Sequence, residues 1–233
     1  MKLSGKTVLI TGGSSGIGKA IAELLIENGA TIIVFGIEKP PYSCEFYKVD
    51  ISKEEQIKKS LAHVERFDVL INNAGIAQVA NLEQTSTELL NKIIDTNVKG
   101  TFWMCKHASS KIGTGGLIIN IASIAGLRGF QGLSAYNASK AAVISLTKTF
   151  MNELAPKIRV NCIAPGIIDT PIWEKMYGKK ARETLNEMAE SVPVKRAGRP
   201  EEIAHAAQFL IENEYVNGAL IVVDGGESES VGS

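Results

Sequence analysis

The stretch that decides the fold is Thr7-Val8-Leu9-Ile10-Thr11-Gly12-Gly13-Ser14-Ser15-Gly16-Ile17-Gly18. An apolar run of strand length enters a glycine-rich turn, and Ile17, Ile21, Leu24 and Leu25 then recur at helical spacing. Gly12 permits the tight turn. Gly16 lets the backbone approach a pyrophosphate, and Gly18 lets the helix lie close to the strand. Ser14, Ser15 and Ile17 complete the loop, and the helix start offers N–H groups and partial positive charge to phosphates. No Lys-Ser/Thr pair follows the last glycine, which excludes a Walker phosphate loop. Asn28-Gly29 ends the helix in the manner of a C-terminal glycine.

Outward from this unit, apolar runs and amphipathic segments alternate. Ile32–Phe35, Phe46–Val49, Val69–Ile71, Leu117–Ile121, Arg159–Ile163 and Ala219–Val223 read as further strands. Lys53–Glu65, Ser86–Ser110, Ala135–Leu154 and Pro200–Glu212 read as helices. Strands that are apolar throughout and alternate with helices indicate a doubly wound α/β fold, here with seven parallel strands. Ligands of such sheets bind at the carboxyl ends of the strands.

Composition narrows the class. The 233 residues carry 25 Lys+Arg and 25 Asp+Glu, with 45% hydrophobic residues. That excludes a disordered chain and argues against nucleic acid or an anionic membrane as partner. No apolar run reaches the ~20 residues of a membrane span, and the start lacks a signal-peptide core. Cys44, Cys105 and Cys162 show neither metal spacing nor an even count, so reduced thiols in a cytoplasmic protein, and no metal, are expected. His63, His107 and His205 are scattered and read as structural, and Glu227–Ser233 reads as a polar tail.

One residue pair and two single residues point to chemistry. Tyr136 and Lys140, at i and i+4, share one helix face. A free tyrosine has a pKa of ~10, and a neighbouring ammonium lowers it, which suits a general acid/base. Such a pair is also common on exposed helices. Ser123 gives it weight, because it follows the fifth strand at a carboxyl end, where its hydroxyl can polarise a carbonyl. Asn97 lies inside a helical stretch, where asparagine is mildly unfavourable and a role is credible.

The spacing Thr-Gly-x-x-x-Gly-Ile-Gly, with Asn97, Ser123, Tyr136 and Lys140 in this order, resembles the short-chain dehydrogenase/reductase family from Gly5 to Gly226. Asn72-Asn73-Ala74-Gly75, Asp50-Ile51, Pro165-Gly166 with Ile168 and Thr170, and Val223-Asp224-Gly225-Gly226 match further family segments. The resemblance implies a single Rossmann-type domain over residues 1–233. It implies NAD or NADP held by Gly12, Ser14, Ser15, Gly16, Ile17, Gly18, Asp50, Ile51, Asn73, Ala74, Gly75, Ile121, Pro165, Gly166, Ile168 and Thr170, with Tyr136 and Lys140 touching the nicotinamide end. Tyr136 is then the acid/base, Lys140 lowers its pKa and holds a ribose, Ser123 positions the carbonyl, and Asn97 supports a relay water. A homotetramer built on Ser86–Ser110 and Ala135–Leu154 is also implied.

The chain departs from the family pattern twice. Where an acidic residue usually ends the second strand to bond the ribose 2′-OH stands Gly36, with Glu38 close behind, which tilts the expectation to NAD. Between Gly36 and Asp50, with Pro40-Pro41 inside, there is no room for the usual crossover helix, so that helix is predicted shortened or missing. Residues 167–193, with Ile172, Trp173, Met176, Tyr177 and Met188, read either as an apolar substrate lid or as helices packed on the body. Leu127, Arg128 and Phe130 border the expected pocket, and Gly115-Gly116 reads as a turn.

The expected activity is NAD(P)-dependent interconversion of a secondary alcohol or sugar hydroxyl and its carbonyl. A 3-oxoacyl thioester reductase, a non-catalytic NAD(P)-sensing regulator, and an epimerase or dehydratase are the rivals.

Overall fold

Strands that are apolar in both side-chain registers need cover on both faces, and the computed structural model, which describes residues 1–229, supplies it. The strands are β1 (Thr7–Thr11), β2 (Thr31–Gly36), β3 (Glu45–Lys48), β4 (Phe67–Asn72), β5 (Ile112–Ile121), β6 (Ile158–Pro165) and β7 (Leu220–Val223). They form one sheet in the order β3-β2-β1-β4-β5-β6-β7, parallel throughout. The helices are α1 (Gly16–Glu27), α2 (Glu54–Leu61), α3 (Thr87–Ile94), α4 (Gly100–Ala108), α5 (Ser134–Leu154), α6 (Ile172–Tyr177), α7 (Ala181–Ser191) and α8 (Pro200–Glu212). Val8 and Ile10 pack with Ile21 and Leu25 of α1 and Ile203 and Leu210 of α8. On the other face, Leu9, Ile33 and Phe35 pack with Ile57 of α2, Met104 of α4 and Phe150 of α5. The chain reverses direction across the sheet between β1 and β4, and that switch point leaves the crevice where such folds bind ligands. The Rossmann-type architecture expected from the sequence is thus present.

Among the described residues, no helix joins β2 to β3, as the two prolines and the short spacing predicted. The connection instead folds Tyr42 back so that its hydroxyl donates to the Gly13 carbonyl at 2.6 Å. Tyr42 and Cys44 pack against the cluster that α1 shares with the sheet. A side chain thereby stands behind the glycine turn in this connection.

Four details differ from the sequence reading. The helix expected over Ser86–Ser110 is α3 and α4 joined by a π turn at Asp95–Lys99. The fifth strand begins at Ile112, because the pairing with β4 shifts between Phe67 and Val69 and takes the Gly115-Gly116 stretch into the strand. The third strand ends at Lys48, and Val49 turns inward to be buried. The polar tail does not start at Glu227, which is only 6% exposed. Asp224 accepts from the N–H groups of Gly226 and Ser228 at 2.8 and 2.6 Å, and this folds the segment back onto the body.

Candidate active site

A cavity of about 870 Å³ runs along the carboxyl ends of the strands. Its shape is set first by the turn after β1. Gly12 has φ +68° and Gly16 φ +53°, backbone states that favour glycine. Thr11 Oγ1 accepts from the N–H groups of Asn73 and Ala74, each at 3.0 Å. Asn73 Nδ2 donates in return to the carbonyls of Thr11 and Gly12 at 3.1 and 2.9 Å. The loops after β1 and β4 are therefore stitched across the switch point. A Cβ on Gly18 would lie 2.4 Å from both Asn73 Nδ2 and Gly12 O, so this glycine is what allows α1 to sit against the stitch. Ser15 precedes α1 in extended conformation, and no acidic residue stands in the helix's first turn.

The cavity is lined here by Gly12, Ser14, Ser15, Gly16 and Ile17. Toward β2 and β3 the wall is made by Gly36, Glu38, Asp50 and Ile51, and toward β4 by Asn73, Ala74 and Gly75. Ile121, Ser123, Tyr136 and Lys140 line it beyond β5, and Pro165, Gly166, Ile168 and Thr170 beyond β6. A Cβ on Gly16 would touch Thr170 at 3.3 Å, so the loops after β1 and β6 meet over the opening. Gly18 and Asn97, both named from the sequence, stand outside the lining and act from behind it. Gly18 is a packing position rather than a wall, for the steric reason just given.

Asn97 occupies the π turn and is 1% exposed. Its side chain accepts from Ile76 N and donates to Ile76 O, both at 2.9 Å, and it also donates to Ser139 Oγ at 3.0 Å. Ser139 in turn donates to the Tyr136 carbonyl at 2.7 Å. A π turn widens the helix by a residue. Here it carries an asparagine that clamps the segment after Gly75 and, through Ser139, the first turns of α5.

Lys140 is 5% exposed, and its Nζ donates to Ile121 O at 2.9 Å. Burial holds its pKa at about 8, well below the ordinary lysine value. Its Nζ lies 5.7 Å from the centre of the Tyr136 ring. A Cβ on Gly75 would stand 3.3 Å from Asn97 Oδ1 and 3.5 Å from Lys140 Nζ, so these two polar ends converge on one glycine. Tyr136 is half-buried along its length, but its hydroxyl is desolvated, and this pushes its pKa to about 12. A hydrogen bond with Ser123 works in the opposite direction. The sequence reading had Lys140 lower the tyrosine pKa. In the structure the opposing influence comes from Ser123, because the ammonium is turned to a backbone carbonyl. Ser123 itself begins a short 3-10 turn and accepts from Ala125 N at 3.1 Å.

Behind these groups, Asn72 Nδ2 donates to Asn120 Oδ1, and Asn120 Nδ2 to Thr147 Oγ1, each at 2.9 Å. This buried chain joins β4 to β5, which leads to Ser123, and to α5, which bears Tyr136 and Lys140. No periodicity in the sequence announces it, since each member sits in an apolar strand or a mixed helix.

Residues 167–193 pack on themselves and also reach the cavity. Trp173, Ala181, Leu185 and Val192 form a small core of their own, while Ile172, Trp173, Met176 and Met188 also line the cavity. Phe130 lines it too, whereas Leu127 is exposed and Arg128 donates to the Glu227 carbonyl at 2.6 Å. Glu227 is a lining residue that the sequence reading missed. Among the described residues, no cluster of His, Cys, Asp or Glu has a metal-binding arrangement, and no helix is long and apolar enough to cross a membrane.

The chain matches, over residues 12–228, a family described as enoyl-(acyl carrier protein) reductase. It is 40% identical to 3-oxoacyl-(acyl-carrier-protein) reductase FabG of Thermotoga maritima, covering 97% of this chain and 99% of that protein. It is 36% identical to L-2,3-butanediol dehydrogenase of Corynebacterium glutamicum, over 95% of this chain and 98% of that one. Among solved structures, the ligand-free aldohexose dehydrogenase AldT of Thermoplasma acidophilum superposes with a TM-score of 0.93. The two share 33% identity over 98% of this chain and 96% of that one.

Proposed function

The chain belongs to the short-chain dehydrogenase/reductase family, an oxidoreductase family acting on CH–OH groups, and on that premise we propose that it interconverts a polyol or sugar hydroxyl and the corresponding carbonyl with NAD as the preferred cofactor. The observation that carries this reading is the meeting of Ser123, Tyr136 and Lys140 at one cavity with the glycine turn. The turn, the helix start behind it and the volume of the cavity fit a nicotinamide dinucleotide. When bound, that cofactor supplies or accepts the hydride.

The chain's own residues do the rest. Ser123 holds the substrate oxygen. Tyr136 donates its proton to that oxygen during reduction, and burial suits it to the task by keeping the hydroxyl protonated at neutral pH. In oxidation the same hydroxyl must first lose its proton, which the hydrogen bond from Ser123 assists. Lys140 is placed to hold a ribose hydroxyl. Asn97 fixes the segment after Gly75 and supports a relay water beside Lys140. The cofactor preference rests on Glu38, which lines the wall after β2 where a ribose 2′-OH finds an acceptor and a 2′-phosphate meets a like charge.

Relatives that act on an aldohexose and on 2,3-butanediol support the polyol reading. The 40% identical 3-oxoacyl reductase supports a second one, reduction of a 3-oxoacyl thioester. In either case the assembly is a single domain with residues 167–193 as substrate lid, forming a homotetramer on the α3–α4 and α5 faces in the cytoplasm.

A panel of polyols, sugars, simple alcohols and a 3-oxoacyl thioester, followed by nicotinamide absorbance with NAD and with NADP, tests the proposal. Turnover of polyols with NAD is expected. Turnover of the thioester alone, or saturation by NADP only, would overturn the substrate or cofactor assignment respectively.

A further inference from the structure

The mechanism leaves one buried acid at the cavity unused. Glu227 follows β7, on the side of the sheet away from the Gly36 and Glu38 wall. It lines the cavity and is only 6% exposed. Three contacts place it there. Asp224 folds the segment through Gly226 and Ser228, Arg128 donates to the Glu227 carbonyl at 2.6 Å, and the Glu227 carboxylate accepts from the backbone N–H of Ile167. Ile167 lines the same cavity.

The neighbours at this end are of a different kind from those around the glycine turn. Ile167 packs with Trp173 and Met188, and the Arg128 guanidinium lies 5.4 Å from the centre of the Phe130 ring, so the tail brings its carboxyl to a largely apolar part of the cavity. A carboxylate offers several acceptor positions, so it can hold a backbone N–H and a ligand hydroxyl together. An acceptor held in an apolar wall favours a ligand that brings a hydrogen-bond donor to it. It disfavours one that brings only hydrocarbon, because the acceptor is then desolvated without recompense. It also disfavours an anionic ligand. Burial pushes the carboxyl pKa upward, with the Arg128 guanidinium opposing, and this suits a neutral hydroxyl better than a cation as partner.

We propose that Glu227 is a substrate-specificity residue that accepts a hydrogen bond from a hydroxyl borne by the substrate beside the reacting carbon. This rests on the oxidoreductase reading above and deepens it, because it selects polyols and sugars over simple alcohols and acyl thioesters.

The test compares kcat/KM on matched pairs, 2,3-butanediol against 2-butanol and an aldohexose against its 2-deoxy form. Wild type, Glu227→Leu and Glu227→Gln are measured, with cofactor binding followed by nicotinamide fluorescence. Wild type is expected to prefer the hydroxylated member of a pair by at least about tenfold. Glu227→Leu lowers kcat/KM on the hydroxylated member about tenfold or more relative to its partner and so abolishes that preference, with cofactor binding showing that the site still assembles. Glu227→Gln, whose amide oxygen still accepts, keeps part of it. A preference that survives Glu227→Leu, or parallel losses on both members of a pair in both variants, overturns the inference. Wild-type turnover of 2-butanol with no preference for its diol overturns this inference alone. Wild type that turns over no alcohol, sugar or carbonyl with either cofactor overturns the proposed function along with it.

Discussion

Lys140 shows how a single residue is set against the stability of the fold. Its ammonium is buried and has one backbone carbonyl as partner, and its pKa falls from the ordinary 10.5 to about 8. At 1.36 kcal/mol per pKa unit, holding that charge at neutral pH costs the folded state about 3 kcal/mol. The sign follows from linkage. Below pH about 8 the lysine is charged in both folded and unfolded chains, and the whole cost is present. As pH rises from about 8 to 10.5 the folded lysine is neutral while the unfolded one is still charged, and the cost disappears. Lys140→Met removes the charge and leaves the Ile121 carbonyl without its donor, a loss of about 1–3 kcal/mol that roughly offsets the gain. Its melting temperature at pH 7 is therefore expected to equal or exceed that of wild type, while kcat/KM falls by about a hundredfold or more. Thermal melts and steady-state rates on one preparation check this. A melting temperature many degrees lower would mean that the lysine is structural.

At the scale of elements, the turn between β1 and α1 is the most legible part of the sequence and also the most constrained. A helix interior normally prefers Ala to Gly by about 1 kcal/mol. At Gly18 the added methyl collides with Asn73 and Gly12, and overpacking of this kind costs about 1–3 kcal/mol. Gly18→Ala should therefore destabilise the protein and weaken NAD binding about tenfold or more, because the cradle is stitched by the groups that must move. Gly113→Ala, where a Cβ meets nothing within 4 Å, should change neither property. Titration of nicotinamide fluorescence with melting curves decides it, and unaltered binding in Gly18→Ala would refute the packing argument. The missing helix between β2 and β3 was legible as well, since Pro40-Pro41 and chain length leave no alternative. The π turn at Asp95–Lys99 was not legible, because its periodicity differs from that of an α-helix by a single residue. Tyr42 was not either, since a tyrosine beside two prolines carries no sign of the carbonyl it will meet. Glu227 was misread as tail because a run of Glu and Ser looks solvated until Asp224 folds it inward.

Over the whole molecule, one edge of one sheet orders the chemistry. The wall after β2 and β3 carries Glu38 and Asp50, the β1 turn carries the glycines, and the segment after β5 leads through Ser123 to Tyr136. The tail after β7 closes the far end with Glu227. The buried Asn72–Asn120–Thr147 chain ties β4 and β5 to α5. The helix bearing Tyr136 is thereby fixed to the same sheet that fixes the glycine turn. On the proposed function, most of the cofactor wall stands on elements other than the helix that bears Tyr136, so the proton-transfer step is separable from cofactor binding by a substitution at Tyr136. The most direct measurement is Tyr136→Phe, assayed for NAD affinity and for turnover on one preparation. The account predicts NAD affinity within about twofold of wild type and a loss of turnover of at least about a hundredfold, the scale of a missing general acid/base. Full turnover in Tyr136→Phe, with its binding intact, would contradict it.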